Sequence, residues 1–334
     1  MIDNATLLAN LDSAFKAITI GNLGEGILTP EKFDRFVQVL QHRTVVLTEA
    51  RFIPMEAHVV DIDRVGFTGR ILKAGVDQAG ADRDLSTGEH VKPTFATNKL
   101  TAKELQAITG IKDNALRRNI ERGNFENTLI QLFGEAAGRD LEEWFLLADT
   151  GIAYGTDAVL SLIDGWCEAA ANKIYGVGGS KDFDPSENTW PENMFDALVA
   201  ALPKQYLQNR SEWRIYCDWT TENDYRNLLK ARGTQLGDQA MTQGLGIPYK
   251  GIEIKYVPML ERSAATGSGG AGRIATLQHP DNMAWGLFHE VTVERDRIAK
   301  SRQTDFVLTL EGDCGYEDEN AAVVAFIQQE PPAS

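Results

Sequence analysis

The stretch from Asn114 to Asp149 reads NALRRNIERGNFENTLIQLFGEAAGRDLEEWFLLAD and has the periodicity of a long helix. Its apolar side chains recur at offsets of three and four residues, as the positions on one face of a helix do. They are Phe125, Leu129, Leu132, Phe133, Ala136, Ala137, Leu141, Trp144, Phe145 and Ala148, and the opposite face carries Glu126, Gln131, Glu135, Arg139, Glu142 and Glu143. With Asn124 as its N-cap, the pattern predicts a helix of roughly 37 Å, at ~1.5 Å per residue. This stretch alone is also compatible with an ordinary core helix.

Two strand-like runs precede the helix and are separated by a long polar segment. The runs cover 44–72 and 93–111 and are rich in branched and aromatic side chains. The segment between them, LKAGVDQAGADRDLSTGEHVK, is about twenty residues without periodicity, which is unusual inside a compact domain. Two strands joined by such a tip predict a long hairpin that needs another surface, most naturally that of a neighbouring subunit. A mobile surface loop is the alternative with equal weight.

The chain beyond the helix mixes strands and helices without regular alternation, which predicts an α+β fold. Helices are predicted at 157–171, at 223–232 and in a segment that ends at Pro203. Strands are predicted at 213–217, 252–257, 287–294, 304–310 and 321–327, with a charged turn over 294–303. The loop from Arg262 to Gly272 is the most flexible segment by composition.

The composition excludes several classes of protein. The 334 residues are 43% hydrophobic and 24% charged, which is ordinary for a folded protein. The net charge of −15 argues against a protein whose main task is to grip phosphate backbones. The three cysteines, Cys167, Cys217 and Cys314, form no CxxC pair, so neither a disulfide framework nor a cysteine zinc site is predicted. No targeting or membrane-spanning segment is expected, and a soluble cytosolic product is predicted.

The sequence contains groups of residues that resemble enzyme motifs, but none of these motifs is complete. Gly267 to Gly272 has the letters of a dinucleotide fingerprint, but no helix is predicted after it, so we interpret it as a decoy in a mobile loop. His289 and Glu290 begin an HExxH motif in which Val293 replaces the second histidine. The five histidines, at 42, 58, 90, 279 and 289, have no pair at the spacing of metal ligands on a helix. No catalytic, cofactor-binding or metal-binding residues are predicted.

Acidic residues cluster in three places, as Asp61/Asp63, as Asp182/Asp184 and in the segment from Asp313 to Glu319. None has the spacing of a defined calcium-binding loop. We interpret all three as solvated turn charges.

The order of these parts resembles the major capsid proteins of tailed bacteriophages with the Hong Kong 97-like shell fold, which encapsulins share. RNIERGNFENTLIQLFGEAAGRDLE resembles the spine helix of that family, residues 59–110 its extended loop and WGLFHEVTVERDR its returning peripheral strand. LPKQYLQNRSEWRIYCDWTTENDYRNLLKARG and GIPYKGIEIKYVPML resemble the core of its axial domain. The resemblance covers nearly the whole chain, and it rests on the order of elements rather than on one diagnostic motif.

The resemblance implies an α+β subunit with an N-terminal arm, an extended two-stranded loop, a long spine helix, a peripheral domain and an axial domain. The implied parts are the arm and the entry to the peripheral domain (1–52), the extended loop with flanking peripheral strands (53–110), the spine helix (111–150), the axial domain (151–285), the returning peripheral strands (286–320) and the closing strand with the C-terminal tail (321–334).

The function that the resemblance implies is structural and not enzymatic. Copies of the chain would assemble as hexamers and pentamers into the icosahedral head shell that encloses a double-stranded DNA genome, without cofactor or metal. Scaffolding, portal and decoration proteins are candidate partners, DNA contact would be non-specific, and no membrane is involved. The expected location is the virion capsid, assembled in the cytoplasm of the bacterial host. The alternatives are an encapsulin-type nanocompartment shell and, as a minor one, a soluble enzyme that uses the Gly-rich loop.

The chain departs from some relatives in two respects. Too little sequence precedes the arm for a cleaved scaffolding segment, which implies a separate scaffolding protein or none. Lys73 and Lys92 flank the extended loop, but no Asn or Glu partner matches by motif, so covalent cross-linking is not predicted. Three arginines near the spine are interpreted as salt-bridged, with local DNA contact as a hypothesis; they are Arg117, Arg118 and Arg122.

Overall fold

The structure is a computed structural model that describes residues 44–66, 70–76, 80–112, 125–178, 181–232, 247–262, 272–288 and 292–328. The helices in these ranges are α1 (Val46–Glu49), α2 (Phe125–Leu147), α3 (Trp166–Ala169), α4 (Glu192–Ala201), α5 (Trp219–Ala231) and α6 (Met259–Arg262). The strands are β1 (Arg51–Met55), β2 (Val59–Gly66), β3 (Thr94–Thr101), β4 (Lys103–Lys112), β5 (Asn172–Tyr175), β6 (Arg214–Cys217), β7 (Pro248–Tyr249), β8 (Ile252–Tyr256), β9 (Ile274–Gln278), β10 (Met283–Phe288), β11 (Thr292–Ile298), β12 (Gln303–Tyr316) and β13 (Ala322–Phe326).

These strands form two sheets and a separate two-stranded hairpin. The first sheet, which we name the peripheral sheet, contains β1, β4, β10, β11 and β12, and the long strand β12 pairs with β4, β10 and β11. The second, which we name the axial sheet, has the order β5-β13-β9-β6-β8-β7. The hairpin is β2 paired antiparallel with β3. The mixed architecture confirms the predicted α+β class.

The predicted long helix is confirmed as α2 and lies at the centre of the main core. Its Trp144 and Phe145 are fully buried, in one apolar cluster with Trp166 of α3 and Trp285 of β10. The Phe145 ring centroid lies 6.0 Å from each of those two tryptophan rings. Large aromatic side chains remove much apolar area from water, so this cluster fixes α2 against the peripheral sheet.

Two side chains of α2 depart from the predicted helical faces. Leu132 is 59% exposed, although the pattern places it on the apolar face. Glu142 is only 3% exposed, although the pattern places it on the polar face. Glu142 is buried because its Oε1 accepts a hydrogen bond of 2.6 Å from the backbone N–H of Val46. The first amides of a helix have no partner within the helix, and the Glu142 carboxylate supplies one for α1.

This contact also explains why the predicted strand from Thr44 is wrong at its start. The branched residues of Val46–Glu49 favour a strand by propensity, yet they form the short helix α1. Val46 and Leu47 are fully buried in the main core. Tertiary packing and the cap from Glu142 therefore override the local preference.

The predicted helix over 157–171 is also wrong, because only Trp166–Ala169 is helical. Asp157 accepts hydrogen bonds from the backbone N–H groups of Val159 and Leu160, which holds a turn instead. Gly165 then passes close to α2, where a Cβ would lie 2.7 Å from the carbonyl oxygen of Phe145. Only glycine permits that approach.

Other predictions after the spine helix are confirmed. They are the helix before Pro203 (α4), the strands β6, β8 and β13, and a helix over 223–232, which is longer than predicted because it begins at Trp219. Asp218 caps that helix by accepting from the Thr221 N–H at 3.2 Å. The predicted turn over 294–303 is too long, because β11 continues to Ile298 and pairs with β12 as far as Gln303.

Some predictions fall on residues outside the described ranges. They are the arm up to residue 43, the Asn124 cap, Arg117, Arg118 and Arg122, His42, His289 with Glu290, and the loop over 263–271.

Candidate assembly surface

The β2–β3 hairpin has two faces of different character. Residues directly opposite each other in an antiparallel pair point to the same side, and successive residues alternate between sides. The register pairs Ile62 with Asn98 and Val60 with Leu100 on one side, which we name the inner face. The other side, which we name the outer face, carries the pairs Val59↔Thr101, Asp61↔Lys99, Asp63↔Thr97 and Val65↔Phe95.

The inner face is anchored to the body of the subunit at the base of the hairpin. Ile62 and Leu100 are buried in a small apolar cluster with Met55 of β1, Ala102 and Ala284 of β10. Asn98 Nδ2 donates to the backbone carbonyl of Tyr316 at 2.7 Å. The hairpin is therefore held to the peripheral sheet at its base and is not a loose surface loop there.

A buried carboxylate adds to this anchor. Asp313 is 8% exposed, and its Oδ2 accepts from the backbone N–H of Thr101 at 2.6 Å. Burial raises the pKa of Asp313 to about 6, although hydrogen bonds from the amides of Thr101 and Cys314 act in the opposite direction. The interpretation of Asp313 as a solvated turn charge is wrong, because β12 extends through Tyr316 and places this residue under the hairpin.

The outer face ends in uncovered apolar side chains. Val65 and Phe95, which lie directly opposite each other, are 59% and 71% exposed. In the tip segment, Ile71 and Leu72 are 51% and 80% exposed. The middle of the same face is polar, with Thr97 donating to Asp63 at 2.7 Å. Exposed apolar patches of this kind are found at contact sites between protein surfaces.

The segment at the tip of the hairpin has local structure where the structure describes it. Val76 and Asp82 form an isolated antiparallel bridge. Glu89 accepts from the backbone N–H of Ser86 and pairs with Arg83, closing a short turn. The Ser86 amide first and Arg83 second lower the pKa of Glu89 to about 2. The prediction of a structureless connection is therefore wrong for this part of the tip.

Asp182, Asp184 and Asp318 also have specific partners within the chain. Asp182 accepts from the backbone N–H of Tyr175, and Asp184 pairs with Lys181. Asp318 forms an ion pair with Arg64 of the hairpin. The described residues contain no group of three or more His, Cys, Asp or Glu side chains that is arranged to hold a metal ion.

The remaining motif residues behave as structural or surface groups. Gly272 is followed by strand β9 instead of a helix, so the geometry of a dinucleotide site is not met there. His58 Nδ1 lies 3.1 Å from Glu311 Oε2, within hydrogen-bond distance, and His279 caps the short turn over Pro280–Asn282. All three cysteines are buried, and burial raises the pKa of Cys167 to about 12, which makes it unreactive.

Lys73 and Lys92 are both exposed at the tip, and the absence of covalent cross-linking stays a prediction. Among the described helices, none combines the length and the apolar character that crossing a bilayer requires.

The sequence pattern did not identify Val65, Phe95 or Arg64 as functional residues. The available signal was the alternation in VVDIDRVG, in which apolar and polar side chains exchange at every second position. Only the pairing register shows that Val65 and Phe95 meet on the face turned away from the body.

Comparisons with known proteins agree with this architecture. The chain is 29% identical over 298 residues to the putative prophage capsid protein YqbE of Bacillus subtilis (strain 168), covering 89% of this chain and 91% of that protein. It superposes on a chain of the satellite phage P4 procapsid including size determination (Sid) protein with a TM-score of 0.62 and 14% identity, covering 98% of each chain. It superposes on a chain of Mycobacterium phage Ogopogo with a TM-score of 0.57 and 12% identity, covering 85% of this chain and 91% of that one. No protein-family model matches the chain.

These findings confirm the resemblance to the major capsid proteins of tailed phages. The chain has their Hong Kong 97-like fold, with α2 as its spine and β2–β3 as its extended loop. None of these three relatives favours the nanocompartment or the enzyme alternative.

Proposed function

We propose that this chain is the shell-forming subunit of a tailed-phage head, and that the outer end of its hairpin is the contact with a neighbouring copy. The protein is a phage structural capsid protein. The proposed contact rests on the exposed pair Val65 and Phe95, which lies at the far end of the β2–β3 hairpin, whose base is packed against the peripheral sheet.

The isolated subunit leaves the side chains of Val65 and Phe95 exposed. Fully burying one large apolar side chain is worth about 1.5–3 kcal/mol relative to leaving it exposed. Each subunit in a closed shell donates its hairpin to one neighbour and receives another, so modest contacts add up over the assembly. Since such a subunit needs repeating surfaces and no active site, we propose a purely structural role.

The partners beyond the chain itself are also proposals. Copies would form hexamers and pentamers, with scaffolding, portal and decoration proteins as further partners, and assembly would take place in the cytoplasm of the bacterial host. The net charge of −15 supports a container that does not adhere tightly to the DNA that it encloses.

Local DNA contact near the spine is proposed for Arg117, Arg118 and Arg122. Replacing all three by alanine should reduce the DNA retained by filled particles on heating. The idea is abandoned if the variant fills with DNA and holds it as firmly as the wild type.

The proposed contact is tested with Val65→Ser/Phe95→Ser. Because both side chains are exposed, the variant subunit should keep its stability within about 0.5 kcal/mol. It should lose assembly into shells, measured by sedimentation velocity and negative-stain imaging. Val59→Ser is the matched control, since Val59 lies on the same face of the same strand and is 46% exposed, but sits at the hairpin base.

Normal shell yields from the double variant would refute the proposed contact. Equal loss of assembly in Val59→Ser would show that the effect does not belong to the outer end.

A further inference from the structure

Three parts of the subunit meet at Asp318, in the turn that joins β12 of the peripheral sheet to β13 of the axial sheet. Arg64 of the hairpin contacts Asp318 Oδ2 at 2.5 Å. The hydroxyl of Tyr206, which lies between α4 and β6, donates to the same oxygen at 2.6 Å. Asn282 fixes the turn itself, because its Oδ1 accepts from the Asp318 N–H at 2.7 Å.

We infer that Arg64, Asp318 and Tyr206 form a releasable clasp that sets the angle of the hairpin and couples it to the junction of the two sheets. The clasp residues are positioning residues for the neighbour contact, so the consequence for assembly rests on the proposed function. The clasp itself is a property of the single subunit.

The two attachments of the hairpin reach different parts of the chain. The base is held to the peripheral sheet by apolar packing of Ile62 and Leu100 and by hydrogen bonds that Asn98 and Thr101 donate. The clasp lies farther along β2, and its charge-assisted hydrogen bonds, which depend on geometry, reach Tyr206 and the turn that leads into the axial sheet. If the clasp opens, the hairpin therefore stays attached at its base but loses this link to the axial part of the chain.

The surroundings of the clasp allow such movement. A cavity of about 300 Å³ lies beside it, and its lining includes Arg64, Tyr206, Trp213, His279 and Asp318. The side chains of Arg64 and Asp318 are 35% and 19% exposed, so water competes for their contact. The hairpin and the axial part of the chain are thus joined here by polar groups beside open space instead of by a packed apolar interface.

The clasp gives a route between the hairpin and the axial sheet. When a neighbouring copy binds the outer end of the hairpin and moves it, Arg64 moves with it. Because Arg64 contacts Asp318, the movement reaches the turn that leads directly into β13. All five residues of β13 are buried between β5 and β9, so a shift of the turn is passed to the axial sheet as a unit.

The test measures the hairpin angle in the unassembled full-length subunit. Spin labels at Lys92→Cys, near the tip, and Asn188→Cys, in the loop before α4, report one distance distribution by pulsed electron paramagnetic resonance. Both positions are exposed, and the native cysteines are buried, which keeps the labelling selective. Asp318→Asn and Arg64→Gln remove the ion pair, and Tyr206→Phe removes one hydrogen bond.

The matched control is Asp63→Asn, which removes a carboxylate charge on the outer face of the same strand and keeps an oxygen that accepts from the Thr97 hydroxyl. We expect Asp318→Asn and Arg64→Gln to shift and broaden the distribution without lowering the thermal midpoint of the subunit, Tyr206→Phe to broaden it less, and Asp63→Asn to match the wild type. An unchanged distribution in Asp318→Asn and Arg64→Gln overturns the inference.

If Asp318→Asn does not fold, Arg64→Gln decides, because this side chain is partly exposed on the hairpin. The two proposals fail separately. A wild-type chain that never forms shells contradicts the proposed function, and the distance distributions still decide the clasp.

Discussion

At the scale of residues, two buried carboxylates join segments that are far apart in the sequence. Glu142 connects the spine helix to α1, and Asp313 connects β12 to the hairpin base. Both accept hydrogen bonds from backbone amides. Burying a carboxylate costs free energy unless its oxygens accept hydrogen bonds. Each of these two carboxylates therefore holds two distant segments together in one specific arrangement.

The first prediction concerns the effect of the titration of Glu142 on the free energy of unfolding. Burial raises its pKa from 4.5 to about 7, against the opposing effect of the amides of Val46, Val45 and Leu47. Because the pKa in the folded state lies above that in the unfolded state, its contribution to stability is fully present below pH 4.5 and is lost as the pH rises through about 7. The loss amounts to about 3 kcal/mol, at 1.36 kcal/mol per unit.

Glu142→Gln keeps a carbonyl oxygen for the Val46 amide and removes the titration. Between acid and mildly alkaline pH, the free energy of unfolding of this variant should therefore fall by about 3 kcal/mol less than that of the wild type. Chemical denaturation across the pH range measures the difference. Glu143→Gln, one residue along the same helix, is the control, and parallel pH profiles for the wild type and Glu142→Gln would contradict the assignment.

At the scale of elements, the sequence predicted those parts whose local pattern and packing agree. The spine helix has a sustained period of apolar residues, and β13 is a short run of apolar residues buried throughout, so both were predicted correctly. The short helix α1 was missed because Glu142 lies 96 positions away from Val46 and leaves no local signal. The turn at Asp157–Gly165 was missed because its apolar spacing imitates a helix.

The hairpin could also be predicted only in part from the local sequence. Its two strands and long tip could be predicted from composition, but the separation of its faces could not. Val65 and Phe95 become one patch only through the register of β2 with β3, and that register is fixed by burial of Ile62 and Leu100.

The second prediction tests the hairpin base. Leu100 is 1% exposed, so Leu100→Ala should cost about 2–5 kcal/mol through lost burial and the cavity that it leaves. Hydrogen exchange should become faster in β2 and β3, because this residue anchors both strands. Denaturant unfolding and exchange by mass spectrometry measure the two effects.

Leu132→Ala is the matched control for this prediction. Leu132 is 59% exposed on α2, so the same substitution should change the free energy of unfolding by no more than about 0.5 kcal/mol. A loss in Leu132→Ala as large as that in Leu100→Ala would show that the anchor is not specific.

At the scale of the whole molecule, the described residues form a well-packed body and a hairpin with an exposed apolar end. The main core joins the spine helix to strands of both sheets. The hairpin end carries exposed Val65 and Phe95, which the proposed function assigns to contact with another copy. This division of roles fits a shell subunit, whose function depends on repeated contacts and not on a chemical site.

The third prediction concerns the protection of the outer face in the assembled state. Phe95 should be modified readily by hydroxyl radicals in the free subunit and become protected in shells, because a neighbour then covers it. Tyr154, which is 71% exposed on the loop after the spine helix, provides an internal reference for accessibility in the free subunit. Equal modification of Phe95 in both states would contradict the prediction.

We propose that copies of this chain close into a shell by covering the outer end of each hairpin. Electron cryomicroscopy of particles purified from cells that express the full chain tests this proposal. We expect closed, hollow particles in which Val65 and Phe95 lie against a neighbouring subunit. Small discrete oligomers, or closed shells in which both side chains still face solvent, would contradict it.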